Sequence, residues 1–327
     1  MPITNNHDIP LTLAVWMLHD DYDYISDPNY ISATRLLKPT RQIILGSRVP
    51  PQDTVEDVDD YTARAVGRAL HDSIEKVWKT AYEIPLQKMG YPQSIIDKIK
   101  VNPTDDEIDD DTIAIHIEQR ETREIRGMTV GGKFDMVADG LLQDNKSTSA
   151  YTWVYGGRDI EHQLQGSIYN WLDAGRPAKG LKRRITEDFI QINYVFTDWQ
   201  KMLARGNPAY PQKRAEKKKI GLMTEADTET WILNKLMEIN VNWHVPEDQL
   251  PECNEEDLWM PDPQFKYYAD PTKTTGRSTK NFDSLSEAND FMATKGKGIV
   301  VAVQGEPKRC GFCAAFDICT QKDRYFQ

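Results

Sequence analysis

The sequence predicts an α/β fold in which a central mixed sheet is flanked by helices. Residues 54–82 and 159–173 have the patterns of helices, a strand-rich stretch lies between them at 112–148, and an alternating strand follows at 189–196. The chain has 327 residues, of which 39% are hydrophobic, and this is enough for one large domain or two small ones.

Residues 1–53 are expected to form an N-terminal segment with a short strand near residues 42–45, and residues 54–100 are expected to be helical. A core-facing stripe is predicted on the helix over 54–82, where apolar residues recur at helical spacing: Val66, Leu70, Ile74, Val77 and Ala81. Gly67, His71 and Glu75 are each four residues apart and lie on a neighbouring stripe. A histidine beside a core stripe is usually structural, and the alternative is a metal ligand.

The strongest local signal is Asp139-Gly140, which lies between two strand-like runs. A two-residue Asp-Gly loop predicts a β-hairpin because both of its residues need a positive φ. This register places Asp135 directly opposite Asp144, with Cβ atoms about 5 Å apart, and places Lys146 on the same face. Facing carboxylates destabilise a sheet, but a divalent cation between them would turn that penalty into binding. The alternative is a solvated hairpin face, which Lys133 opposite Lys146 would suit.

The strand-rich stretch at 112–148 begins with alternating isoleucines at 113, 115 and 117, and a strand is predicted from Phe189 to Phe196. The helix over 159–173 places Gln165 and Tyr169 on one face because they are four residues apart. A further helix is predicted over 225–240. The tail after it is rich in proline, glycine and aromatic residues. Three parts are therefore expected: residues 1–53, a core over 54–200, and a basic loop, helix and tail over 201–327 packed on that core.

The net charge of −11 at first argues against a nucleic-acid partner. The acidic residues are clustered at 53–60 and 105–111, however, and the basic residues are clustered at 179–184 and 213–219. Phosphate binding depends on local charge rather than on the total. Residues 213–219 are expected to form a mobile basic loop that grips backbone phosphates, and the alternative is a solvated face.

Four short motifs follow one another along residues 60–175: Gly67-x-x-x-His71, Gly132-x-x-Asp135, Asp144-Asn145-Lys146 and Gln165-x-x-x-Tyr169. Their order and spacing resemble the RecB-type nucleases of the PD-(D/E)XK superfamily. The resemblance implies a restriction-endonuclease-like core, with a central mixed sheet flanked by helices, over residues 54–200. The chain departs from the family at Asn145, where the family uses only the main-chain carbonyl as a metal ligand.

The resemblance implies a metal site made by His71, Asp135, Asp144 and the carbonyl of Asn145. Carboxylates are hard oxygen ligands that suit Mg²⁺ or Mn²⁺, and the histidine nitrogen favours tolerance of Mn²⁺. Lys146 would orient or deprotonate the attacking water, or stabilise the phosphate. Gln165 and Tyr169 would contact DNA or brace Lys146. Glu75, one turn after His71, is either a supporting partner of that histidine or a solvated helix residue.

Three cysteines lie in a C-x2-C-x5-C arrangement at Cys310, Cys313 and Cys319, and the fourth is Cys253. Clustered cysteines in an intracellular protein indicate a metal site rather than disulfides, and thiolates suit an iron–sulfur cluster or zinc. The arrangement resembles the iron–sulfur enzymes of the RecB branch, in which the cluster fastens the chain end to the core. A 4Fe-4S cluster held by all four cysteines is therefore expected, with zinc and free thiols as alternatives. Those enzymes usually place the lone cysteine before the nuclease motifs, whereas Cys253 follows them.

The whole pattern, tail included, resembles phage-encoded RecB-like exonucleases. It implies a metal-dependent DNA exonuclease of phage recombination, replication or DNA processing, with DNA and a recombinase or single-strand annealing protein as partners. A structure-specific endonuclease and a non-catalytic DNA-binding or assembly protein are the alternatives. No basic region precedes the short apolar run at 11–18, so a cytoplasmic protein, with no membrane partner, is expected.

Overall fold

The computed structural model describes residues 3–50, 56–155 and 158–326. Its helices are α1 Leu11–Leu18, α2 Ala33–Leu36, α3 Thr40–Arg48, α4 Thr62–Thr80, α5 Glu83–Lys88, α6 Gln93–Ile96, α7 Ala150–Tyr155, α8 Asp159–Asp173, α9 Lys201–Gly206, α10 Glu225–Asn242 and α11 Leu285–Lys295. Its strands are β1 Tyr30–Ser32, β2 Ile99–Val101, β3 Ile113–Ile125, β4 Met128–Ala138, β5 Leu141–Thr148, β6 Phe189–Phe196, β7 Ala215–Gly221, β8 Gln264–Tyr268, β9 Lys280–Phe282 and β10 Ile299–Val303. The predicted α/β class, with a central mixed sheet flanked by helices, is confirmed.

The chain divides into two compact units. The first contains Met1–Leu37 and Val55–Met237, and the second contains Lys38–Thr54 and Glu238–Gln327. These bounds differ from the predicted boundaries at residues 53 and 200. The difference arises because α3 packs with the C-terminal part of the chain, where Ile44 and Leu45 share a core cluster with Leu250 and Ala315.

The first unit is built on a mixed sheet with the strand order β2-β3-β4-β5-β6-β7. Its β2–β3 and β5–β6 pairs are parallel, whereas β3–β4, β4–β5 and β6–β7 are antiparallel. One edge of β4 pairs with two strands: β5 at residues 136–138 and, in parallel, β1 at residues 129–131. Residues 132–135 lie between these two ladders, so Gly132 and the side chain of Asp135 are placed where the sheet splits.

The predicted hairpin is confirmed. Asp139 and Gly140 both have a positive φ, 49° and 81°, and the ladder runs from Ala138↔Leu141 to Met136↔Gln143. It ends one pair before Asp135 and Asp144. Beyond that point the Asp135 carboxylate accepts a hydrogen bond from the Asn145 N–H at 2.8 Å. The hairpin therefore brings the two aspartates close together while its strands diverge.

Helix α4 is confirmed within the predicted 54–82 range, of which residues 54 and 55 lie outside the described part. The predicted apolar stripe is wrong in part, because Val66 and Val77 are 39% and 41% exposed. The helix instead buries Ala65 in one cluster and packs Ile74 and Trp78 against Ile115, Ile117 and Met136 of the sheet. Ile74 of the predicted stripe thus packs on the sheet as expected, whereas Ala65 and Trp78 take the places expected for their neighbours Val66 and Val77.

Two further expectations are wrong. Residues 42–45 lie in helix α3, not in a strand; consecutive apolar residues fit either element, and their packing partners are remote in sequence. The basic loop expected over 213–219 is mostly strand β7, paired with β6. The tail, which was described by its composition alone, contains a three-stranded antiparallel sheet in the order β10-β8-β9. Helix α11 lies between β9 and β10 in the sequence. The other predicted elements, 159–173, 189–196 and 225–240, match α8, β6 and α10.

Among the described residues, no helix has both the length and the apolar character that crossing a membrane requires.

Candidate functional site

All four motifs meet in one cleft of the first unit, which has a volume of about 1050 Å³. Helix α4 contributes one motif, the split between β4 and β5 contributes two, and α8 contributes the fourth. The motif residues that line the cleft are Gly67, His71, Gly132, Asp135, Asp144, Lys146, Gln165 and Tyr169. Residues up to a hundred positions apart in sequence are thus gathered on one surface.

Asp144 is the most buried of the charged side chains in this cleft, at 2% exposure. Its Oδ2 lies 2.7 Å from Lys146 Nζ, in an ion pair whose angles do not meet hydrogen-bond geometry. Its Oδ1 is buried and has no hydrogen-bond partner among the described residues. Such a buried oxygen carries a free-energy cost unless something compensates it. An oxygen of this kind is what a hard cation binds.

His71 bridges the main chain and the carboxylates. Its Nε2 lies 2.9 Å from the carbonyl oxygen of Asn145, and its Nδ1 lies 3.4 Å from Asp135 Oδ2. The Asn145 carbonyl and the Asp135 carboxylate are therefore both within reach of one ring. Glu75, the other candidate on α4, forms an ion pair with Lys79 at 2.5 Å and also lines the cleft.

The protonation states follow from burial and from these pairs. Burial raises the pKa of Asp144 to about 6, with Asp135 adding to the rise and Lys146 opposing it. Burial would also raise the pKa of Asp135, but the hydrogen bond and charge of His71 outweigh it and lower the pKa. The same hydrogen bond, with one to Glu118, raises the pKa of His71 to about 10. The metal-free site therefore holds a protonated imidazole against ionised carboxylates.

Lys146 is held as an ammonium group. Burial alone would lower its pKa, but Asp144 and then Asp135 outweigh burial, and the pKa is raised. A lysine in this state can donate hydrogen bonds to an anion or to water, and it is not a base. It becomes a base only if the charges around it change.

Gln165 and Tyr169 interact with each other on α8, where Gln165 Nε2 donates to the Tyr169 hydroxyl at 3.2 Å. Burial raises the pKa of Tyr169, so its hydroxyl stays protonated. The Tyr169 ring packs against Gly132, where a Cβ would lie 2.5 Å from the ring. The glycine of the second motif therefore allows the tyrosine of the fourth motif to reach the cleft.

Sequence reasoning missed Glu118, which belongs to β3. Ligand atoms of His71, Glu118 and Asp135 all lie within 4.8 Å of one another. The register between β3 and β4, Ile117↔Met136 and Gln119↔Phe134, brings Glu118 opposite Asp135. A second tight turn, Arg126-Gly127, fixes that register with two positive φ values and could have revealed the pair.

The cations of the cleft are not those of the predicted basic runs. Arg35, Arg64, Arg68, Arg120 and Lys133 line it. The run at 179–184 is largely engaged in structure: Lys179 and Lys182 donate to main-chain carbonyls, while Arg183 and Arg184 pair with acidic side chains. On β7, Lys218 pairs with Asp159 at 2.5 Å and Lys219 lies 4.0 Å from the centre of the Phe189 ring.

The second unit brings Cys253, Cys310, Cys313 and Cys319 to the lining of one cavity, with a volume of about 40 Å³. None of them forms a disulfide. Burial raises the pKa of Cys253 to about 12 and also raises the pKa of Cys310 and Cys313. Gln321 holds the Cys253 main chain in place, because its side-chain amide accepts from the Cys253 N–H at 2.9 Å and donates to its carbonyl at 2.7 Å.

Arg41 of α3 reaches the same cavity although it is only 4% exposed. Its Nε donates to Cys319 Sγ at 3.3 Å, and its Nη1 donates to the carbonyls of Glu247 and Leu250. The Glu247 carboxylate completes the set with an ion pair. The guanidinium therefore places a buried positive charge beside one of the four cysteine sulfurs.

No protein-family model and no curated protein matches the chain. Among solved structures, the chain is similar to one described as "Crystal structure of SSO0001", with 16% identity and a TM-score of 0.41. The match covers 69% of this chain and 84% of that one.

Proposed function

We propose that this protein is a divalent-metal-dependent deoxyribonuclease with a RecB-type PD-(D/E)XK core, and that it acts as an exonuclease. The observation that carries the proposal is the buried, unpartnered Asp144 Oδ1 beside Asp135, His71 and Lys146 in one open cleft. A carboxylate at 2% exposure with one oxygen left without a partner is costly to fold around. Its presence among three further ionisable groups is better explained by a reaction than by stability.

The residues present fit a divalent cation. Asp135, Asp144 and the Asn145 carbonyl would supply oxygen ligands, which Mg²⁺ and Mn²⁺ prefer, and His71 would add a nitrogen. When bound, the cation would neutralise charge on the scissile phosphate and lower the pKa of a water molecule. His71 must give up its extra proton before a ring nitrogen can act as a ligand.

The protein's own groups would then orient the substrate. Lys146, kept protonated by the two aspartates, would donate to a non-bridging phosphate oxygen and stabilise the negative charge that develops there. The Tyr169 hydroxyl, also kept protonated, and the Gln165 amide would contact DNA from α8. Arg35, Arg64 and Arg68 on the cleft walls would bind backbone phosphates.

The test is digestion of end-labelled linear DNA and of covalently closed circular DNA with Mg²⁺ or Mn²⁺. An exonuclease degrades the linear substrate alone, and an endonuclease also opens the circle. Asp144→Asn and Lys146→Met should each lower the cleavage rate by at least about 100-fold. Asp139→Asn is the matched control: it lies in the same hairpin at the turn, where asparagine tolerates the positive φ. Wild-type rates in both site variants would contradict the proposal, and DNA binding without cleavage would instead support a DNA-binding or assembly protein.

We further infer that the four cysteines hold an iron–sulfur cluster of the 4Fe-4S type. The cavity of about 40 Å³ that the four cysteines help to line is larger than one water molecule needs, roughly 10–15 Å³, whereas four sulfurs at about 2.3 Å from a single zinc ion would close around that ion. Arg41 and Arg309 on the cavity wall would offset the negative charge of four thiolates. Anaerobically purified protein should therefore be brown and contain about four irons per chain, while colourless protein with one zinc would contradict the inference.

The biological setting, phage recombination or DNA processing in the host cytoplasm with a recombinase or annealing partner, rests on the sequence resemblance alone.

A further inference from the structure

Glu118 brings a third carboxylate to the cleft from a strand that carries none of the four motifs. His71 Nδ1 lies 3.7 Å from Glu118 Oε1 and 3.4 Å from Asp135 Oδ2. These three residues present ligand atoms that all lie within 4.8 Å of one another, a spread that one octahedral cation can span. Glu118 also has a φ of 53°, which is uncommon for a residue other than glycine inside a strand.

Acidic residues that lie together do not by themselves make a metal site. The independent observation is Asp144 Oδ1, which is buried, lines the same cleft and has no hydrogen-bond partner in the described part of the chain. Its side chain is 2% exposed, so solvent cannot compensate it. The cleft therefore contains an oxygen that lacks a partner in addition to the His71, Glu118 and Asp135 group.

Lys133 determines what Glu118 does in the metal-free protein. Its Nζ lies 2.8 Å from Glu118 Oε2, while Oε1 faces His71. A divalent cation at His71 would compete with Lys133 for Glu118.

We propose that Glu118 is a protein ligand of the divalent cation in this cleft, together with His71 and Asp135, and that Lys133 holds Glu118 in the cation's absence. The proposal rests on the proposed function for the existence of that cation. It adds a ligand from β3 that lies outside the four motifs, and it makes Lys133 a competitor of the metal.

The competing explanation is a plain ion pair across two strands, in which Glu118 and Lys133 stabilise the sheet. The two explanations differ in whether removing Glu118 and removing Lys133 change the metal affinity in the same direction or in opposite directions. If the pair is only structural, removing either partner breaks the same contact and changes metal binding in the same direction. If Glu118 is a ligand, removing Glu118 weakens metal binding, and removing Lys133 strengthens it because Glu118 loses its competing partner.

The experiment uses Mn²⁺ as the probe, without DNA, on the full chain. Electron paramagnetic resonance gives the Mn²⁺ affinity, and electron spin-echo modulation in D₂O counts the water molecules on the bound ion. Glu118→Gln should weaken Mn²⁺ binding by roughly tenfold or more, the size of loss that even outer-shell changes cause. Glu118→Gly, which suits the positive φ and removes every side-chain oxygen, should also add at least one water to the ion.

Asp72→Asn is the matched control, since Asp72 lines the same cleft and the change removes one negative charge without removing an atom of the ligand group. It should leave the water count unchanged. Lys133→Met should tighten Mn²⁺ binding. An unchanged water count in Glu118→Gly, or weaker binding in Lys133→Met, would overturn the proposal.

The same measurements separate this proposal from the nuclease proposal. A wild-type protein that binds no Mn²⁺ would overturn both. Mn²⁺ binding with the expected effects of the Glu118 and Lys133 variants, in a protein that cleaves no DNA, would support the ligand assignment and contradict the nuclease.

Discussion

At the scale of single residues, Asp144 shows what the cleft has to balance. Its neighbour Asp135 is a like charge, and its own burial raises its pKa to about 6, so near neutral pH it is ionised at a cost in free energy. Lys146 compensates one oxygen only. A protein under selection for stability alone would lose little by replacing this side chain with an apolar one of similar size. The cost is understandable if the carboxylate binds a cation.

His71 gives the clearest pH dependence. Its pKa of about 10 in the metal-free protein means that, below that pH, Mn²⁺ must displace one proton to bind the ring. The logarithm of the Mn²⁺ association constant should therefore rise by about one per pH unit between pH 7 and 9. In His71→Asn the slope over that range should be near zero. Calorimetry in two buffers of different ionisation enthalpy counts the released proton, and a flat wild-type profile would show that His71 is not a ligand.

Arg41 is expected to set the properties of the cysteine site. Its Nε donates to Cys319 Sγ, and hydrogen bonds and positive charge at cluster sulfurs stabilise the reduced form. If a cluster is bound, Arg41→Met should make its reduction potential more negative, as measured by a spectroscopically monitored redox titration. Arg48→Met, on the same helix, is the control because Arg48 donates to the carbonyls of Trp243 and Val245 and does not line the cysteine cavity. Equal potentials in the two variants would show that Arg41 has only a structural role.

At the scale of elements, short sequence patterns predicted the helices, strands and turns that are determined by residues close together in the chain. The Asp139-Gly140 turn needs two positive φ values and fixed its hairpin, and the regular patterns of α8 and β6 were sufficient for those elements. The predictions of a strand at residues 42–45 and of a loop at 213–219 were wrong because the partners that determine these elements are remote in sequence. Helix α3 packs with Leu250, and β7 pairs with β6. The tail sheet β10-β8-β9 could not be read from composition, since its strands are short and pair across intervening loops and a helix.

The hairpin turn offers a sharp test of how the site is positioned. A Cβ on Gly140 would lie 2.0 Å from Thr186 Oγ1, and the residue has a φ of 81°. Gly127, at the preceding turn, has a similar φ of 79° but nothing within 4 Å of such a Cβ. Gly127→Ala should therefore destabilise the protein by roughly 1–2 kcal/mol, the cost of a left-handed residue with a side chain. Gly140→Ala should cost at least about 1 kcal/mol more because of overpacking.

Denaturant unfolding of the two glycine variants measures that difference. Thr186→Ala combined with Gly140→Ala should recover most of the additional loss, since it removes the hydroxyl that collides. Equal destabilisation by the two single substitutions would mean that the contact between Gly140 and Thr186 does not constrain the hairpin.

At the scale of the whole molecule, the sequence predicted the motif residues of the candidate site better than it predicted the other residues around the cleft. The motif residues His71, Asp135, Asp144 and Lys146 share one cleft, as their series predicted, because each lies on an element with a clear local pattern. Glu118 was missed because it lies next to Asp135 only through the pairing of β3 with β4. The phosphate-binding surface was sought in charge runs, but much of the 179–184 run is engaged in ion pairs and main-chain hydrogen bonds.

DNA should bind in the cleft even though the net charge of the molecule is −11. Arg35, Arg64 and Arg68 line the cleft, and changing all three to Gln should lower the slope of log K against log salt by about 2, since each lost phosphate contact removes roughly 0.7–0.9. Changing Lys217, Lys218 and Lys219 of β7 to Gln also removes three positive charges. The long-range repulsion between protein and DNA therefore increases equally in both variants. The β7 variant should change the slope less, because Lys218 already pairs with Asp159 and Lys219 lies over the Phe189 ring. Binding of end-labelled DNA at several salt concentrations, with Ca²⁺ in place of Mg²⁺ to suppress cleavage, gives both slopes. A larger effect of the β7 lysines would place the phosphate contacts on that strand instead, where the sequence alone had predicted them.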